Sequence, residues 1–287
     1  MIELDGVPEL VDPVVVAAFE GWNDAGDAAT GAVEHLAAAF AATPVAALDP
    51  EDYYDFQVTR PTVSVDGSGL RRLEWPTTQV SIARSAGDRR DLVLVRGIEP
   101  NMRWRGFCGE ILDLCVELGV ATVVSLGALL ADVPHTRPVP VTGTSSDPGL
   151  GRSLGLQASR YEGPTGIVGV LQEAATAAGL PAVSFWAAVP HYVAQPPCPK
   201  ATLALLRHVE DLLDLAVPLG DLPEDARAWE RGVDELAGDD EEIAEYVQRL
   251  EQARDTTDLP EASGEHIARE FERYLRRRGP EAGEGPP

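Results

Sequence analysis

The chain reads as an α/β fold: a mostly parallel sheet covered by helices on both faces, followed by a C-terminal helical subdomain. Three observations predict it. Short, continuous, β-branched apolar runs recur, each followed by a loop and an amphipathic helical pattern. Runs that are apolar on both faces belong to strands buried on both sides, which pair in parallel when helices connect them. Past Pro218 the strand-like runs stop, and charged helical patterns take over.

Residues 14–19 form the first buried strand. A helix starts after Gly21 and Trp22, with Asn23 or Asp24 as its cap and Ala29, Val33, Leu36 and Phe40 on one side. Residues 45–85 read as a hairpin-rich insert with Gly67 and Gly69 at a turn. Residues 92–95 are a second buried strand, and the helix after it carries Trp104, Phe107, Ile111, Leu114 and Leu118 on one face before ending at Gly119. Residues 121–126 are a third strand. The Pro-rich passage 132–148 is too irregular for a regular element. A helix over 164–178 leads to a strand at 182–186, and residues 200–216 form another amphipathic helix.

Two or three helices are expected beyond Pro218. One starts in the acidic run 239–242 and turns Ile243, Tyr246, Val247 and Leu250 inward. Another carries Ile267, Phe271, Tyr274 and Leu275 and ends in Arg276, Arg277 and Arg278, as the helix dipole favours. The pattern divides the chain into an α/β domain at 1–218, an acidic helical subdomain at 219–279 and a disordered tail at 280–287.

With 287 residues, 44% hydrophobic and 24% charged, the chain is globular and able to bury a sizeable core. No run approaches the roughly 18 apolar residues of a membrane span, and the acidic opening lacks the layout of a signal peptide. A cytoplasmic protein without membrane contact is expected. The net charge of −24 argues against nucleic acid, whose phosphates need a positive surface. Fourteen acids and four bases between 221 and 258 supply ten of those charges. Cys108, Cys115 and Cys198 are an odd set without C-x-x-C spacing, so they read as small buried hydrophobes in a reducing compartment.

There is no Walker loop, no G-x-S-x-G elbow and no H-E-x-x-H pair, and the glycines at 149–155 do not fit a dinucleotide fingerprint. No catalytic residue, metal or cofactor is assigned. What remains is a set of loops at the predicted carboxyl ends of the strands, the edge where open α/β sheets bind ligands. The first holds Trp22, Asn23 and Asp24; the second Arg96, Glu99 and Arg103; the third Asp132 and His135. The fourth holds Glu162 and Thr165, and the fifth His191. Two readings stand open. In one, the loops form a small-molecule pocket: a helix opening at 163–166 suits an anion, the arginines supply charge, the histidines titrate, and Glu99 and Asp24 act as carboxylates. In the other, the loops pack on each other or on a neighbouring subunit, with Asp24 a helix cap and Trp22 and Trp104 filling space. His35 and His208 read as ordinary helix-face residues.

The ordered loops resemble the PAC2 family, named for proteasome assembly chaperone 2. The stretches that carry the resemblance are 19–29, 52–56 with Arg60 and Pro61, 97–100 with Arg103 and Trp104, 126–138, 161–166 and 189–192. They span about Val14 to Leu213 and look closest to the actinobacterial branch, whose members carry a helical C-terminal extension. The resemblance implies a three-layer α/β/α domain related to the phosphorylase/hydrolase-like folds, and self-association as a homo-oligomer. It also implies a non-catalytic chaperone or scaffold that holds protein subunits, proteasome subunits among them. The alternative is an enzyme or sensor with a nucleoside-like or anionic ligand at the strand-end cleft.

Overall fold

The run 14–20 is apolar at six consecutive positions, so neither face of the strand it forms can lie open to water. The computed structural model, which describes residues 7, 9–84, 90–156 and 161–257, places that strand at the centre of a sheet. In chain order the elements are β1 (Val14–Glu20), α1 (Ala28–Ala39), β2 (Thr43–Ala47), α2 (Pro50–Tyr53), β3 (Thr62–Val65), β4 (Arg71–Glu74) and β5 (Gln79–Ala83). There follow β6 (Leu92–Ile98), α3 (Trp104–Glu117), β7 (Thr122–Ala131), β8 (Val141–Ser145), α4 (Pro148–Ser153), α5 (Ile167–Ala177) and β9 (Ala182–Pro190). Three helices close the described chain: α6 (Pro199–Leu213), α7 (Leu222–Gly238) and α8 (Glu241–Thr257).

Seven strands form the main sheet in the order β2-β5-β6-β1-β7-β9-β8. The central four, β6, β1, β7 and β9, are parallel, while β5 and β8 run antiparallel to their inner neighbours. Alternation along β1 splits the core in two. Val14, Val16 and Ala18 face α1 and α6, whereas Val15, Ala17 and Phe19 face α3 and α5. This is the three-layer α/β/α arrangement.

Two expectations change. The passage 132–148 contains a strand, β8, antiparallel to β9. Its Val-Thr-Gly-Thr-Ser sequence lacks a hydrophobic run because it is an edge strand, paired on one side only. In the insert, β2 and β5 extend the main sheet, and only β3 and β4 form a separate hairpin. The strands at the sheet centre also run farther than their apolar cores: β7 continues to Ala131 and β9 to Pro190. The expected helix at 267–275 and the tail at 280–287 lie outside the described residues.

The three cysteines are buried and free, and burial pushes their thiols up to about 11 for Cys108 and Cys198 and about 12 for Cys115. Cys108 and Cys115 share the helix face turned to the core. Gly97 on β6 has no room for a side chain: a Cβ there would sit 2.6 Å from the Thr78 main chain and 2.8 Å from the Thr77 carbonyl. Gly97→Ala is expected to destabilise the fold by about 1–3 kcal/mol, through forced backbone movement, read as a lower midpoint in urea unfolding. The thiols, neutral and enclosed at pH 8, are expected to react with a maleimide only after denaturant is added, when all three become available.

Candidate functional site

Parallel pairing brings the ends of β1, β6, β7 and β9 to one edge, so the loops that follow them share a rim. The segment 161–166 joins this rim from a different direction, since it leads into α5 and not out of a central strand. Ile167 N donates to Glu99 Oε1 at 2.9 Å, which ties the start of α5 to the end of β6. The same oxygen accepts from Asn23 Nδ2 at 2.6 Å. Asn23 is fully buried, its carbonyl accepts from Ala128 N at 2.7 Å, and its side chain presses on Gly166, where a Cβ would lie 2.1 Å from Oδ1. Glu99 and Asn23 thus fasten three loops together.

Asp24 is the helix cap. Its carboxylate accepts from Ala29 N at 2.6 Å, from Thr30 N at 3.2 Å and from the Thr30 hydroxyl. Burial raises its pKa, and those hydrogen bonds work in the opposite direction. Asn23 plays no capping part, because a short 3-10 turn at Ala25–Asp27 sets α1 back from it. The helix expected to open at 163–166 begins at Ile167 with Gly166 as its cap, and Glu99 already occupies the N–H an anion would take. Thr165 and Glu162 are exposed beside it.

Arg96 does not face Glu99. It lies on the α1 side of the sheet, 3.4 Å from Glu20 and 3.7 Å from Glu34. Arg103 pairs with Asp52 and lies over the Tyr53 ring at 5.8 Å, and the Trp104 indole donates to Pro100 O at 2.6 Å. These arginines serve the fold locally.

The other half of the rim is covered by α7 and α8. His135 is buried, with Nδ1 2.8 Å from the Tyr192 hydroxyl and Nε2 2.9 Å from Asp234 of α7. The Tyr192 oxygen also accepts from His135 N, so the phenol meets both the main chain and the ring of His135. Burial pushes the Tyr192 phenol up to about 12. Asp132 accepts from the Tyr246 hydroxyl at 3.0 Å and lies 3.2 Å from His191 Nδ1. Lys200 pairs with Glu230 and donates to His135 O. Arg137 holds Asp255 through two 2.8 Å bonds, which keeps that carboxyl below its usual range. This tether is intact above the ordinary carboxylate range and is lost as pH falls through the depressed value.

Tyr192, Lys200, Glu230, Asp234 and Tyr246 were not among the candidate site residues. Tyr246 was expected to turn inward on its helix and Tyr192 lay in the 189–192 loop, and only the chain's return to the rim pairs these side chains with His135, Asp132 and one another. Among the described residues, no group of three or more His, Cys, Asp or Glu could hold a metal ion, and no helix is long and apolar enough to cross a membrane. A cavity of about 450 Å³ lies between residues 7–13 and the end of α3, at the opposite edge of the sheet.

Glu99→Ala leaves the Asn23 amide and the Ile167 N–H without an acceptor. A loss of about 2–3 kcal/mol is expected in urea unfolding, with Glu99→Gln, which keeps a carbonyl acceptor, losing less.

The PAC2 family profile matches residues 18–237. A PAC2 family protein from Streptomyces avermitilis is 67% identical over 82% of this chain and 100% of its own, with a TM-score of 0.78. A proteasome-assembly chaperone homologue from Mycobacterium tuberculosis is 60% identical over 82% of this chain and 99% of its own, with a TM-score of 0.75. A second Mycobacterium tuberculosis protein, of unknown function, is 30% identical over 90% of this chain and 89% of its own, at a TM-score of 0.80. No curated protein matches the chain. The match runs from the end of β1 into α7, taking in the other strands of the sheet and both helical layers, and the chain belongs to the PAC2 family.

Proposed function

We propose that this protein is a non-catalytic assembly chaperone or scaffold of the cytoplasm that self-associates and holds other protein subunits. Proteasome subunits are the class to test first, because the 60% identical Mycobacterium tuberculosis relative is described as a proteasome-assembly chaperone homologue. The observation that carries the reading is the β3–β4 hairpin. Its register sets Val63 opposite Leu73 and Val65 opposite Arg71. Val63, Val65 and Leu73 therefore lie on one face, and by the same alternation Trp75 follows them. Ser64, Arg72 and Glu74 lie on the other, where Ser64 bonds Glu74 at 3.2 Å and Arg72 approaches Asp66 at 4.0 Å.

A strand pair patterned this way is written for burial of one face, yet Val63, Val65, Leu73 and Trp75 are 46–63% exposed. Two isolated strands are marginally stable in water. With Val58 and Leu70, the hairpin leaves on the order of 600 Å² of apolar-bearing surface, at the upper end for a monomer. Pairing that surface between two copies buries about 1,200 Å², the lower end of a specific interface. The small-molecule reading has less support: Asp24, Glu99, Arg103, Asp132 and His135 already bond neighbours in the same chain, and only Asn23 Oδ1 is buried without a hydrogen-bond partner among these candidates' described side-chain atoms.

Light scattering at micromolar concentration is expected to give an oligomer for the wild type and at least a twofold lower mass for Val63→Glu/Leu73→Glu, with an unchanged circular dichroism spectrum. A strictly monomeric wild type overturns self-association. Failure of any proteasome subunit to co-purify above control overturns the chaperone reading.

A further inference from the structure

α8 covers the His135 half of the rim without becoming part of the core. Of its 17 residues, Val247 alone among the described side chains is buried, with Ile243, Tyr246 and Leu250 half-buried beside it. The 15-residue α6 buries eight. What fastens α8 is polar and lies on the loop between β7 and β8. Asp132 accepts from the Tyr246 hydroxyl, Thr136 donates to Glu251, and Arg137 reaches Glu251 at 3.2 Å and grips Asp255 twice. The Tyr246 ring adds edge contacts to His191 at 5.4 Å and to Tyr192 at 6.0 Å. Half-exposed ion pairs hold weakly and are screened by salt, and elements with few buried apolar contacts open first.

We propose that this loop and the turn at His191–Val193 form a docking surface for an acidic helix of a partner protein, and that α8 occupies it in the free chain. The surface presents a guanidinium, a threonine hydroxyl and two ring edges, from Arg137, Thr136, His191 and Tyr192. Its complement is a tyrosine followed within three turns by two carboxylates, the chemistry that α8 supplies with Tyr246, Glu251 and Asp255. A partner helix gains Arg137 only by displacing those two acids, so α8 is an autoinhibitory contact. Its local anatomy lets it leave as a unit. It carries its own cap, Asp240 Oδ1 accepting from Glu242 N at 2.9 Å. α7 is anchored separately, with Leu222 and Trp229 packed on the core layer that α1 and α6 build. The β3–β4 hairpin plays no part, so the inference stands apart from self-association there.

The test uses the full chain. In hydrogen exchange, the α8 amides are expected to exchange about tenfold faster than those of α6. They exchange several-fold faster again in Arg137→Gln or in about 0.5 M sodium chloride, with β1 and β7 unchanged. Exchange of α8 as slow as that of α6, or unmoved by Arg137→Gln, overturns the proposal and makes α8 a fixed part of the fold. A second arm adds a fluorescent peptide of Glu241–Thr257, stapled on its solvent face because a free helix of this length is marginal in water. It is expected to bind Tyr246→Ala/Asp255→Ala about tenfold more tightly than wild type, since loosening α8 raises the open fraction. Adding Arg137→Gln removes that gain. Equal affinity for all three chains overturns the docking surface, and a gain that survives Arg137→Gln places the peptide elsewhere and overturns it as well.

Discussion

Four strands running the same way impose the geometry on which the rest depends. Because β6, β1, β7 and β9 are parallel, every loop that leaves them does so at one edge, and the helices that return the chain must occupy both faces. The Glu99 carboxylate then locks this edge by accepting from Asn23 and from the first N–H of α5. One acceptor thereby joins segments 76 and 68 residues apart. A charged acceptor at a helix start is also where the dipole wants it.

The rim has two halves with different physics. Around Asn23 the polar groups are turned inward, with Nδ2 bonded to Glu99 and Oδ1 buried without a hydrogen-bond partner, and the outer surface is aromatic and aliphatic. Around His135 the polar groups are met by α7 and α8, which bring Asp234, Tyr246, Glu251 and Asp255 onto the loop between β7 and β8. A surface of that kind suits recognition of protein better than chemistry on a small substrate: it offers apolar area and few uncommitted charges.

Much of the sheet was legible beforehand. The runs at 14–19, 92–95, 121–126 and 182–186 are apolar on both faces, and only a central parallel strand satisfies such a pattern. Asp24 as a cap followed from a carboxylate placed just ahead of a helical run. β8 escaped notice because an edge strand of threonine and glycine carries no hydrophobic signal. Arg96 and Glu99 were placed together in the second candidate loop, but Arg96 pairs with Glu20 and Glu34 on the α1 side while Glu99 bonds Asn23 and the start of α5.

The sequence by itself determined the class of fold, the central strands and the gathering of the strand-end loops at a common edge, because hydrophobic periodicity is a local property that each segment carries alone. Only the tertiary structure decided which loop residues meet. Whether His135 faces solvent or Asp234 depends on a contact across 99 residues, and whether Val63 is buried depends on what stands beyond its hairpin. Such pairings arise from how layers stack, and no short stretch of chain records them.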